Sequence, residues 1–248
     1  MNPSLRLDSI TDEAIERLTE AVGRHRPAVF TSSFGVEDMV VLDLIDRAAL
    51  DVTVATLDTG RLHQETYELM DQATERYRRP LKVFAPQAAA LEDFIGSEGF
   101  NSFYRSIELR KRCCEIRKTE PLARALRGRG LWITGLRREQ SVTRAQLDVL
   151  ARDDQHGLMK LNPLVDWLDD DVWAYVEEND VPTNPLHRRG FPSIGCAPCT
   201  RAVEPGEDAR AGRWWWEQAE TRECGLHMTP DGRLVRSRAP IPIVAQEF

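Results

Sequence analysis

A single α/β domain with a mainly parallel sheet flanked by helices is the fold class that this 248-residue sequence predicts. Three observations predict it. Short β-rich runs alternate with amphipathic helical stretches, the pattern of strands joined by helical crossovers. Several runs end in small or polar residues at Thr31–Gly35, Asp58–Arg61 and Gly135–Arg144, and ligands in such sheets bind beyond the carboxyl ends of the strands. From Asn179 onward periodicity fades while Pro182, Pro185, Pro192, Pro198 and Pro205 accumulate. That remainder reads as an irregular C-terminal segment carrying ligands.

Element by element, Asp8–Arg26 spaces Ile10, Ala14, Leu18 and Val22 about one turn apart behind Asp and Thr start signals, which predicts a helix. Ala28–Ser33 is a β-rich run, and Val36–Ala49 returns to helical spacing. Asp51–Leu57 predicts a second strand closed by Asp58-Thr59-Gly60, and Leu62–Arg78 a strongly amphipathic helix. Lys82–Phe84 reads as a third strand, Ser106–Arg127 as a long basic helical stretch, and Leu131–Gly135 as a fourth strand. Met159–Leu161 is a fifth, followed by a helix at Asp169–Glu178. Trp214–Trp216 either stack on a base or pack a short helix onto the core, and packing is the commoner use.

No apolar run approaches the ~20 residues that span a bilayer, and Met1–Arg6 lacks an apolar signal core. A cytoplasmic, non-membrane protein is therefore expected. A net charge of −7 disfavours general nucleic-acid binding. Yet Arg105–Arg144 holds 12 basic against 4 acidic residues, while Asp148–Asp180 holds 10 acidic against 2 basic. A cationic stretch inside an acidic chain suits a local anionic ligand, or simply a solvated helix face.

The five cysteines fall into two pairs and one remainder: Cys113–Cys114, Cys196–Cys199 and Cys224. An odd number without a secretion signal argues against a disulfide framework. Paired zinc ligands are normally two to four residues apart, so adjacent Cys113 and Cys114 fit a larger object better. An iron–sulfur cube, each iron taking one thiolate, leads over zinc and over redox or buried cysteines. Cys224 lies between Arg222 and His227 in ECGLH, a polar setting in which nearby cations favour the thiolate. The alternative is a buried structural cysteine.

Ser32-Ser33-Phe34-Gly35-Val36-Glu37-Asp38 joins strand to helix, and its small residues let backbone N–H groups approach an anion. It matches neither of the familiar glycine-rich phosphate loops. Arg137, Arg138 and Arg144 follow a strand end, and Arg210 and Arg213 precede Cys224. Lys118, one turn after Cys114, shares its face and would hold an anion beside a negative cluster, or is a surface lysine.

Seven segments taken together, SSFGVEDMV, LDTGRLHQETYEL, RKRCCEIRKTEPL, WITGLRREQSVTR, KLNPLVDW, NPLHRRGFPSIGCAPCT and ECGLH, resemble the assimilatory sulfonucleotide reductases. Within these the resemblance is to the iron–sulfur adenosine 5′-phosphosulfate (APS) reductases. It implies an adenine-nucleotide α-hydrolase-like fold, with residues 1–200 a nucleotide-binding domain and 201–248 a catalytic segment and tail rather than an independent domain. It implies that Cys224 attacks the sulfur of APS, expelling AMP and leaving an S-sulfocysteine from which thioredoxin or a similar dithiol releases sulfite. Cys113, Cys114, Cys196 and Cys199 would hold a 4Fe–4S cluster. Lys118, Arg210, Arg213 and His227 would contact the phosphosulfate, and Ser32, Ser33, Gly35, Thr59, Gly60 and Arg144 the nucleotide.

Three other readings compete. A 3′-phospho-APS (PAPS) reductase shares the fold and Cys224 but generally lacks the four cluster cysteines, though some relatives accept both substrates. An ATP-dependent tRNA thiolation ligase would want an unbroken S-G-G-x-D-S loop, against Phe34, and a basic surface. A cluster-based sensor leaves ECGLH without a purpose. The 21 residues after ECGLH, with TPDGRL and IPIVA, either add a strand or end freely. The sequence leaves a homo-oligomer open.

Overall fold

The computed structural model describes residues 3–140 and 144–217. Helix α1 (Pro3–Arg24) begins earlier than its polar start signals suggest and stops before Pro27, whose ring disfavours helical backbone in the preceding residue. Strand β1 (Ala28–Ser32), helix α2 (Val36–Arg47), strand β2 (Val52–Leu57) and helix α3 (Gln64–Tyr77) follow as expected. After β3 (Leu81–Phe84) comes α4 (Ala88–Glu98), which the sequence did not signal because only Phe94 of it is buried. The basic stretch is α5 (Ile107–Cys114), a π-helical turn at Glu115–Thr119 and α6 (Glu120–Leu126). Strand β4 (Leu131–Ile133), the hairpin β5 (Leu150–Asp153) and β6 (Leu158–Leu161), and α7 (Asp169–Glu178) complete the regular elements.

The six strands run in the order β3-β2-β1-β4-β6-β5, all parallel except β5, which pairs antiparallel with β6. β5 also escaped prediction: its LARD sequence is short and alternates exposed with half-buried positions. Side chains alternate across the sheet, so Phe30, Val54 and Ile133 face α1, α2, α3 and α7 in the larger core. Val29, Ala55 and Trp132 face the other way, against Leu122 and Leu126 of α6. On the first side Tyr77 and Tyr175 both donate to buried Asp43, at 3.0 and 2.7 Å, tying α2, α3 and α7 together.

From β1 the chain winds to β2 and β3 on one side, and from β4 to β6 on the other. The connections therefore diverge between β1 and β4, which opens a crevice beyond their carboxyl ends. Residues 32–35 and 134–137 form its two lips.

Candidate functional site

A cleft of about 430 Å³ occupies that crevice. Ser32, Ser33 and Gly35 line it from the β1–α2 turn, and Thr59 from the end of β2. Lys118, Arg144, Arg210 and Arg213 also reach it. Eight of the residues expected at a nucleotide site thus converge, although their sequence positions span most of the chain. Gly60 is not on the wall. It takes a left-handed turn at φ +67°, its N–H donating to Asp58 Oδ1 at 2.8 Å.

The β1–α2 turn differs from a free anion cradle. Asp38 Oδ2 accepts from Ser33 N at 2.6 Å and from Ser33 Oγ at 2.7 Å. Burial lifts the Asp38 carboxyl to about 6, against the lowering pull of its two Ser33 hydrogen bonds. Phe34 adopts φ 60°, a conformation rare for bulky residues, with its ring buried in the larger core. Gly135 is required by close approach, since a Cβ there would lie 2.5 Å from Asp38 Oδ1. The two lips are therefore keyed together.

Behind Lys118 lies a second, much smaller cavity of about 20 Å³, bordered by Cys113, Cys114, Cys196 and Cys199. All four are free thiols, and three are buried. The π-helical turn after Cys114 places Arg117 and Lys118 beside the same cavity. Arg117 Nη1 donates to Thr59 O at 2.6 Å, and the Thr59 hydroxyl lies 3.3 Å from Cys196 Sγ. Ala197 N donates to Arg61 O at 2.7 Å, so the β2 loop supports the Cys196–Cys199 turn directly.

The thiols differ electrostatically. Burial pushes Cys199 up to about 12, with Cys196 adding to the effect. Burial also raises Cys113 against the pull of Arg117. For Cys196, burial is outweighed by Lys118, the Thr59 hydrogen bond, Arg213 and Arg117, which together hold it below the ordinary thiol value.

Among the described residues no three His, Cys, Asp or Glu side chains gather as a single-ion site. Two buried donors at the cavity have no acceptor, Arg117 Nε and Trp214 Nε1. Four thiols and two orphaned donors bordering one space have the donor chemistry to hold a thiolate-bound anionic group. Trp214 is buried with the cysteines and flanked by Arg110 and Arg213, each 4.8 Å from its ring centroid. Of the three tryptophans it is the fully buried one; Trp216 packs half-buried against the same cluster, and Trp215 stays 37% exposed.

Sequence reasoning missed Arg110, and noted Arg137 only as a cation following a strand end. Arg110 makes a fully buried two-point pair with Glu217, at 2.9 and 2.7 Å. Arg137 is equally buried, among acidic side chains on the cleft wall. No local signal reveals the buried pairing of either arginine, because Glu217, Glu37 and Asp169 lie far away in sequence. Cys224 and His227, the expected nucleophile and its neighbour, lie outside the described residues, as does the tail.

A doubly wound α/β fold whose cleft, beyond the carboxyl ends of β1 and β4, adjoins a four-cysteine cavity is what this geometry defines. Residues 27–202 match the phosphoadenosine phosphosulfate reductase domain, and the chain belongs to that family. It is 52% identical over 218 residues to a Burkholderia cepacia protein named adenosine 5′-phosphosulfate reductase, covering 88% of this chain and 87% of that protein. A protein of the same name from Allochromatium vinosum is 49% identical over 228 residues, covering 91% and 89%. Among solved structures, the phosphoadenylyl-sulfate reductase of Candida auris, a phosphate complex, superposes with a TM-score of 0.66 at 28% identity, covering 79% of this chain and 96% of that one. Yeast FAD synthetase, at TM-score 0.56 and 16% identity over 82% of this chain and 69% of its own, shares the fold alone. No helix among the described residues is long and apolar enough to cross a membrane.

Proposed function

We propose that this chain reduces APS to sulfite and AMP in sulfate assimilation, in the cytoplasm, with a thioredoxin-like dithiol as reductant. The observation that carries the reading is the position of Lys118, which borders both the cleft and the four-cysteine cavity. A 4Fe–4S cluster held by Cys113, Cys114, Cys196 and Cys199 would supply a fixed negative charge behind Lys118 and tie the α5 region to the 196–199 turn.

Cleft residues bind the nucleotide, and Lys118, Arg210 and Arg213 gather around the phosphosulfate with His227. Bringing a thiolate to an anionic sulfonate is uphill, and these fixed cations offset the repulsion as charge moves to the leaving phosphate. Cys224 Sγ attacks the sulfur, the S–O bond to phosphate breaks, and AMP departs with the electron pair. A partner thiolate then attacks Cys224 Sγ, releasing sulfite. Its second thiol resolves the mixed disulfide, so the dithiol is oxidised as the sulfur is reduced. Residues 1–200 act as the nucleotide-binding domain and 201–248 as the segment that delivers Cys224.

Intact mass after anaerobic incubation with APS and no reductant tests this. A sulfonate adduct on the wild type, cleared by thioredoxin and missing from Cys224→Ser, is expected. An adduct on Cys224→Ser, or none on cluster-loaded wild type, would refute the mechanism.

A further inference from the structure

The cleft is electrically two-sided. Lys118 enters it from the α5–α6 junction, and Arg210 and Arg213 from the C-terminal segment. The first turns of α2 and α7 present Glu37, Asp38 and Asp169 to the same cleft, and Glu37, Glu139 and Asp169 gather around Arg137, whereas Lys118 and Arg213 both act on Cys196. Arg144, hydrogen-bonded to Gln140 Oε1, lines the cleft as well.

A helix N-terminus ordinarily welcomes an anion. Here first-turn carboxylates cancel that attraction, and the Ser33 N–H is already engaged by Asp38. Arg137 adds a cation to this side, but all five guanidinium donors are committed. Its Nε and Nη2 reach Glu37 Oε1 at 3.2 and 2.8 Å. Nη2 also reaches Asp169 Oδ1 at 2.9 Å, while Nη1 donates to Glu139 Oε2 at 3.2 Å and Trp167 O at 3.1 Å. Three carboxylates around one buried guanidinium leave the wall net negative.

We infer that this wall selects a nucleotide with a free 3′-hydroxyl over one carrying a 3′-phosphate, with Glu37 and Asp169 setting the selection. The inference rests on the proposed reading of the cleft as a sulfonucleotide site. A phosphosulfate must lie on the cationic side, where its charge is met. A second phosphate on the ribose then has to share the remaining cleft with the acidic wall, which repels it. A hydroxyl in the same place is neutral and can donate to a carboxylate. Selectivity arises from unfavourable charge against the wrong nucleotide as much as from contacts to the right one.

Calorimetric titration of the full-length protein with AMP and with adenosine 3′,5′-bisphosphate tests the wall without relying on turnover. Glu37→Gln and Asp169→Asn each remove a charge while leaving an oxygen to accept from Arg137. Wild type is expected to prefer AMP, and each variant to narrow that preference by about tenfold. Added salt should narrow the wild-type preference too, because screening weakens charge exclusion and leaves a steric one intact. A preference unchanged in both variants and insensitive to salt, with normal AMP binding, would overturn the inference. If the variants do not fold, a salt-insensitive wild-type preference overturns it alone. Failure of folded wild type to bind either nucleotide would remove the nucleotide reading itself, and the selection with it.

Discussion

Glu217→Gln removes the counter-charge of Arg110, whose side chain is 1% exposed and whose partner is 3% exposed. Neither group can recover water on losing the other, so solvent screening offers no relief. Breaking such a pair from one side costs about 3–5 kcal/mol, and the oxygen retained by Gln argues for the lower end. In a domain of this size each kcal/mol moves the melting midpoint by roughly 2–4 °C, so a fall of about 6–12 °C is expected. Melting followed by circular dichroism, at matched metal content, measures it. The double variant Arg110→Met/Glu217→Leu should recover most of the loss, because it removes both buried charges together. A single-variant shift below about 2 °C would refute the reasoning. The pair also fixes the chain only seven residues before Cys224, so Glu217→Gln should slow adduct formation more than it weakens AMP binding.

Two further outcomes follow from the site. Gly195→Ala places a methyl group against the Arg213 guanidinium, the movable end of a side chain; it should weaken AMP binding by about tenfold while shifting stability by under about 1 kcal/mol, as titration and melting together would report. Asp38→Asn concerns pH: a buried carboxyl raised from 3.8 to about 6 binds its proton more tightly when folded. Wild type should therefore lose stability relative to Asp38→Asn as pH rises from about 4 to about 6, with a constant difference above; a flat difference across denaturant melts at those pH values would contradict this.

Much of the frame was legible because its signals are local. The runs VFT and VTVATL declare β1 and β2, and the spacing of Ile10, Ala14, Leu18 and Val22 declares α1. The cysteine pairs announced a shared site that the fold then assembled around one cavity. α4 and β5 stayed hidden because neither buries a full apolar face. Features made by distant partners were also hidden. Arg110 meets Glu217 107 residues away and Arg137 meets Glu37 100 residues away. No sequence window contains such a contact. Ser33 was hidden for a different reason: Asp38 stands in the same short segment, but only the turn geometry gives it the Ser33 N–H.

The sheet ends in two short borders. β3 on one side and β5 on the other are four residues each, with Lys82 on the first and Arg152 and Asp153 on the second. Short, charged border strands are poor templates for a neighbouring chain's backbone. Copies of this protein crowded together should therefore resist zipping edge to edge into fibrous aggregates. Among the described residues, self-association would be built from helix or loop surfaces rather than from these two border strands.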